Sequence, residues 1–416
     1  MSPMSPTSPT SPTSPTSPPT VVAQPDVDRE AGVTAAAGFR CAGVAAGIKD
    51  GGTPDLALVV NDGPRDTAAG VFTRNKVRAA PVLWTRQVLT QRRLRAVVLN
   101  SGGANACTGP PGFQDTHATA ERVADALQIG AVDVAVCSTG LIGERLPMPA
   151  VLSGVDAAAA ALAGTPDAGL AAATAVMTTD TVPKQAAYRH RDGWTVGGFA
   201  KVACMIAPSL ATMLVELTTD ADLDASTVDQ ALRAAAGRTF ERLDVDGSCS
   251  TNDTVLLLAS GASGRRPAAA RFQFALDAVC ADLVEQLQAD AEGVTKCVTV
   301  TAGGAASEAD ALAVARAVAR DSLVKTALFG SDPNWGRIVA AAGMADARLD
   351  PDRIDVTING ITLCRDGCAA TDRFTCDLSG QDVTVEIELH QGAERATIRT
   401  TDLSHGYVEE NSAYSS

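Results

Sequence analysis

The chain has 416 residues, enough for two or three ordinary domains or one large one. It is 46% apolar but only 4% aromatic, so its core must be built from Ala, Val, Leu and Ile, not from a surface that stacks bases or aromatic ligands. With 34 basic and 48 acidic residues the net charge is -14, which argues against a polyanionic partner such as nucleic acid. Ten Cys without regular pairing and four scattered His carry no zinc-site spacing and fit a reduced, cytosolic protein with Cys as small core hydrophobes. No apolar run reaches the roughly 18 residues of a membrane span.

Residues 1–32 open with a Ser-Pro-Thr repeat that lacks the charged and apolar regions of a secretory signal. Proline at every third position forbids a helix, so this stretch is expected to be a disordered, polyproline-like tail. Folded sequence is expected from about Val33. Leu56-Ala-Leu-Val-Val60 and Leu94-Arg-Ala-Val-Val-Leu-Asn100 read as buried strands, the second entering a polar loop that ends at Gly109. Asp115 to Leu127 has helical spacing. Val132 to Cys137 reads as a strand running into Ser138-Thr139-Gly140, and Ala150 to Ala163 as a helix stopped by Gly164 and Pro166. Trp194 to Ala200 and Met213 to Leu217 read as strands, and Ser226 to Phe240 as a helix capped by Ser226 or Thr227.

Val255 to Leu258 follows as a strand, Ala268 to Ala291 as a long amphipathic helix, Lys296 to Thr301 as a strand and Glu308 to Arg320 as a helix. Arg353 to Leu363, Val383 to His390 and Ala396 to Thr400 alternate as strands. Strands and helices mix without strict βαβ alternation, so the expected class is α/β with mixed α+β layers, not a doubly wound sheet. No glycine-rich nucleotide fingerprint or P-loop is present.

The chemistry concentrates in Lys201-Val-Ala-Cys-Met-Ile-Ala-Pro-Ser-Leu-Ala-Thr-Met-Leu214. A Thr hydroxyl is a poor nucleophile without an adjacent base. Breaking the chain between Ala211 and Thr212 would supply one on the same residue, because the freed α-amine has a reference pKa of about 8. Ser138-Thr139-Gly140-Leu-Ile-Gly143 follows a strand, where consecutive N–H groups and a hydroxyl suit a developing oxyanion.

These segments resemble the glutamate N-acetyltransferase (ornithine acetyltransferase) family, whose precursors cleave themselves at the matching Ala-Thr bond. Further matching segments are Asn100 to Gly109, Met177-Thr-Thr-Asp180, Asp246-Gly-Ser-Cys-Ser-Thr-Asn-Asp-Thr254, Ala291-Glu-Gly-Val-Thr-Lys296, Phe329-Gly-Ser-Asp-Pro-Asn-Trp-Gly-Arg337 and the C-terminal Tyr407 to Ser416. The likeness spans about Val33 to Ser416. It implies an α fragment ending at residue 211 and a β fragment, 212–416, packed together in an α2β2 assembly. It implies Thr212 as nucleophile and Thr139 with Gly140 as the oxyanion hole. Thr178, Lys201, Thr212, Glu292, Asn411 and Ser416 would bind substrate, the polar C-terminus folding into the site.

The implied reaction moves acetyl from N2-acetylornithine to glutamate in arginine biosynthesis, with no metal or organic cofactor and with acetyl-CoA as at best a secondary donor. A self-cleaving aminopeptidase or amidase, a transferase of secondary metabolism and a silent amino-acid-binding protein are the competing readings. The sequence departs from the family at Val202-Ala203-Cys204, where Gly-Ser-Gly or Gly-Ala-Gly is usual. Three side chains there bear on the cleavage rate and on the choice of acceptor.

Overall fold

The computed structural model describes residues 26–202 and 213–413. In chain order the first part runs β1 (Phe39–Val44), β2 (Leu56–Asn61), β3 (Thr67–Phe72), α1 (Ala80–Val88), β4 (Ala96–Asn100), α2 (Gly109–Leu127), β5 (Val134–Ser138), α3 (Met148–Ala161), α4 (Pro166–Ala175), β6 (Lys184–His190) and β7 (Trp194–Lys201). The second runs β8 (Leu214–Thr219), α5 (Ala225–Arg238), β9 (Thr254–Ala259), α6 (Ala269–Ala289), β10 (Cys297–Ala305), α7 (Glu308–Arg320), α8 (Ser322–Phe329) and α9 (Trp335–Ala342). It continues through β11 (Asp355–Ile358), β12 (Ile361–Arg365), β13 (Cys368–Ala369), β14 (Asp382–Glu388), β15 (Glu394–Thr401) and α10 (His405–Ala413).

Three sheets result, in the orders β1-β2-β4-β5, β3-β9-β8-β7-β6 and β13-β12-β11-β14-β10-β15. The expected mixed α/β class holds. The five-stranded sheet is covered on both faces. Phe199, Leu214, Leu256 and Leu258 share a core with the four-stranded sheet. Val215, Leu217, Val255 and Leu257 pack with residues of α5 and α6. Alternation along β8 and β9 thus places successive side chains in two different apolar layers, which is why these strands read as continuous hydrophobic runs. Each fully buried Val or Leu contributes on the order of 1.5–3 kcal/mol. The six-stranded sheet forms a third core with α7, α8 and α9.

Several expectations need correction. Packing begins before Val33, since Asp28 pairs with Ala187 and Arg29 forms an ion pair with Asp282. The cap of α5 is Asp224, whose carboxylate accepts from the N–H of both Ser226 and Thr227. A charged acceptor just before the first turn satisfies two orphan donors at once. Pro166 does not merely stop α3; it is the first residue of α4, with Thr165 as its cap. Arg353 to Leu363 is a hairpin, not one strand. Asn359 and Gly360 take φ of 46° and 80° between β11 and β12, the pattern of a tight primed turn. The C-terminal stretch is helical from His405 to Ala413. Among the described residues, no helix is long and apolar enough to cross a membrane.

Candidate active site

β7 and β8 are antiparallel neighbours, and Lys201 at the end of one pairs with Leu214 at the start of the other. The segment joining them, 203–212, contains Ala211 and Thr212 and lies outside the described residues, as does Ser416. Its two flanks are held firmly. Met213 is fully buried, donates its N–H to Asp253 Oδ1 at 3.1 Å and accepts from Thr254 N at 3.0 Å. On the other side, Val202 is buried and its N–H donates to Asp180 Oδ1 at 3.2 Å.

Lys201 is fully buried, and its ammonium donates to Thr178 Oγ1 at 2.8 Å and Thr139 Oγ1 at 3.2 Å. The topology therefore brings together three of the expected residues from three separate segments. Asp180 Oδ2 stands 4.0 Å from the same ammonium. Burial pulls the Lys201 pKa down to about 8, opposed chiefly by Asp180 and further by Glu292, while Lys184 and Lys49 push it down as well. The group is thus still a cation at neutral pH, and loses its charge as pH passes about 8.

Thr139 follows β5 and is itself buried. Its amide N–H is committed to Asn100 O at 3.0 Å, and its carbonyl accepts from Gly103 N at 3.0 Å. The Thr139 N–H is therefore not available to an oxyanion. Thr139 offers its hydroxyl, whose oxygen accepts from Lys201 and whose proton is left to donate. The N–H of Gly140 has no hydrogen-bond partner among the described residues. Gly140 is required on two counts. Its φ is +129°, and a Cβ would sit 2.7 Å from Gly103 N and 2.9 Å from Gly103 Cα. Asn252 ties this loop to the second half of the chain, its Nδ2 donating to Ser138 O at 2.8 Å and Ala104 O at 2.6 Å.

Glu292 and Asn411 also meet, Asn411 Nδ2 donating to Glu292 Oε2 at 2.9 Å. Gly293 makes this approach possible. At φ +60° its position has backbone of Tyr407 only 2.0 Å from where a Cβ would stand. Ser404 Oγ donates to Gly293 O and accepts from Tyr407 N, pinning the start of α10 there. Phe329, from the turn-rich 329–337 segment, packs edge-on against His405 and braces the same helix. The field of Glu292 reaches Lys201 and links this pair to the Lys201 cluster.

Other residues of the site escaped the sequence reading. Asp180 organises the cluster, accepting from Thr178 N, Val202 N and Lys184 Nζ. Lys184 is buried between Asp180 and Asp290. Asp253, fully buried beside Met213, has its carboxyl held well above the usual carboxylate range, first by burial. Asp180 and Asp253 each lie in a polar segment that the family shares, and that was the only signal available for them.

The sequence model of the ArgJ family matches residues 40–416. The arginine biosynthesis bifunctional protein ArgJ of Mycolicibacterium paratuberculosis is 65% identical over 393 residues, covering 93% of this chain and 97% of that protein. The protein of the same name from Thermobifida fusca is 58% identical over 383 residues, covering 92% and 99%. Among solved structures, ornithine acetyltransferase complexed with ornithine from Mycobacterium tuberculosis is 65% identical, covers 45% of this chain and 99% of that one, and aligns with a TM-score of 0.44.

Proposed function

Because the chain belongs to the ArgJ family, we propose that it is an acetyltransferase of arginine biosynthesis that moves acetyl from N2-acetylornithine to glutamate, using Thr212 as its nucleophile. Scission of the Ala211–Thr212 bond gives residues 1–211 and 212–416, which stay associated as α and β fragments of an α2β2 cytoplasmic enzyme. The observation that carries this reading is the cluster at the ends of β5 and β7. A buried ammonium there touches two Thr hydroxyls at the end of β7, which pairs with the start of β8, the strand that follows Thr212 in sequence.

The steps follow from the groups present. The Thr212 hydroxyl attacks the acetyl carbonyl carbon and its proton passes to the Thr212 α-amine. The resulting oxyanion receives hydrogen bonds from the Thr139 hydroxyl and the Gly140 N–H. The C–N bond then breaks, and ornithine leaves with the proton from the Thr212 ammonium. The amine of glutamate attacks the acetyl ester in turn, the Thr212 amine takes its proton, and the C–O bond breaks with that proton returning to the hydroxyl. Lys201 and Thr178 hold the α-carboxylate that both substrates carry, while Glu292, with Asn411, takes the side-chain ammonium of ornithine. Ser416 completes the set from the chain end. The relatives are named bifunctional, which supports acetyl-CoA as a second donor.

Purified protein incubated with N2-acetylornithine is expected to make N-acetylglutamate only when glutamate is added, with one ornithine released per acetyl transferred. Acetate released at the same rate with and without glutamate would contradict transfer and identify a hydrolase.

A further inference from the structure

One pocket that hands acetyl from ornithine to glutamate faces a charge problem. The departing amino acid ends in an ammonium and the arriving one in a carboxylate. Glu292 suits the first and repels the second. Lys201 is occupied by the carboxylate common to both. Lys184 is buried and paired with Asp180 and Asp290. Neither Lys201 nor Lys184 is therefore left for the acceptor's far end.

Lys49 stands in the right place. Its Nζ donates to Met177 O at 3.0 Å, the residue before Thr178. Next to it, Ile48 packs on Gly102, where an added Cβ would fall 2.3 Å from Ile48 Cγ2. Gly102 and Gly103 in turn abut Gly140. The contacts close a ring through Thr139, Lys201, Thr178, the Ile48–Lys49 pair and Gly140, so Lys49 lies on the rim of the site. The loop that presents it is rigid by construction. Fully buried Asp55 accepts from the N–H of Ala46 at 2.6 Å, of Ile48 at 2.6 Å and of Lys49 at 2.9 Å.

Among the described residues, Lys49 forms no ion pair, although it is half-buried. Burial lowers its pKa, against the fields of Asp55 and Asp180. A partly desolvated ammonium bonded to a single carbonyl is poised to exchange that bond for a carboxylate. Resting on the transferase reading above, we propose that Lys49 receives the side-chain carboxylate of the acidic acceptor, and so sets the preference for glutamate over its uncharged isostere.

The test compares glutamate with glutamine as acceptor, with N2-acetylornithine as donor, in wild type, Lys49→Met, Lys49→Gln and Lys49→Arg. The ratio of kcat/KM for glutamate to that for glutamine is expected to fall more than fivefold in Lys49→Met and Lys49→Gln, and by less than that in Lys49→Arg. Both acceptors are read on one preparation, so partial loss of folded protein cancels, and either neutral variant suffices if the other is insoluble. A smaller fall in the neutral variants, or an equal fall in Lys49→Arg, would overturn the role of Lys49. A wild-type protein that transfers acetyl to neither acceptor would instead contradict the transferase reading itself.

Discussion

Replacing Gly140 by Ala is expected to lower kcat for acetyl transfer by about 100- to 1000-fold, the scale of losing one oxyanion donor. The added methyl group would lie 2.7 Å from Gly103 N and 2.9 Å from Gly103 Cα, both backbone atoms that cannot rotate away. The backbone at φ +129° is also one that L side chains rarely adopt. The loop must shift, and the shift acts on the bond from Gly103 N to Thr139 O, which holds the Thr139 hydroxyl against Lys201. The two proposed oxyanion donors, the Gly140 N–H and that hydroxyl, would then be displaced from one another. Steady-state kinetics beside a melting curve checks this. A folded variant with kcat within threefold of wild type would remove Gly140 from the oxyanion site.

Glu216→Leu should make the protein more stable, and increasingly so as pH rises. Glu216 sits in β8 on the same face as Leu214, toward the core shared with the four-stranded sheet. It is fully buried, and among the described residues neither carboxylate oxygen has a hydrogen-bond partner. Burial alone pushes its pKa well above the ordinary carboxyl value of 4.5. Between those two values the unfolded chain releases a proton that the folded chain keeps. Stability therefore falls as pH rises from about 4.5, by about 1.4 kcal/mol per pH unit, until the folded group ionises. Leucine removes both this slope and the cost of burying an unpaired carboxyl, so the variant is expected to be the more stable throughout, by a margin that widens as pH rises from about 4.5 to about 8. Thermal melts of both proteins across that range decide it. An equal or lower melting temperature for the variant at pH 8 would contradict the account.

Legibility in the sequence followed the strength of local signals. α5, α6 and α7 announce themselves by helical periodicity, and β4, β5 and β9 by unbroken apolar runs. β1, β3 and β6 escaped notice because Phe-Arg-Cys-Ala-Gly-Val, Thr-Ala-Ala-Gly-Val-Phe and Lys-Gln-Ala-Ala-Tyr-Arg-His are poor in large apolar side chains, and pairing with their neighbours makes them strands. α1 and α4 both begin at proline-bearing turns, which read as breaks and not as first turns. The hairpin at Asn359–Gly360 carried a readable signal that a longer alternating pattern concealed.

The candidate site divides the same way. Thr139, Thr178 and Lys201 lie far apart in the chain, and nothing local links them; family resemblance nominated each separately. Their meeting around one ammonium is a product of topology, because β5 and β7 end close together. Asp55, Asp180 and Lys49 look like ordinary polar residues in sequence. Their importance lies in what they orient, and no short-range pattern records that.

Residue 212 can serve as nucleophile and base together only after the bond before it has broken. Intact mass of the purified protein, wild type beside Thr212→Ala, measures this without any assay of activity. Two polypeptides, ending at Ala211 and beginning at Thr212, are predicted for wild type, and one full-length chain for the variant. A catalytically competent wild-type sample that shows only the 416-residue chain would contradict the account.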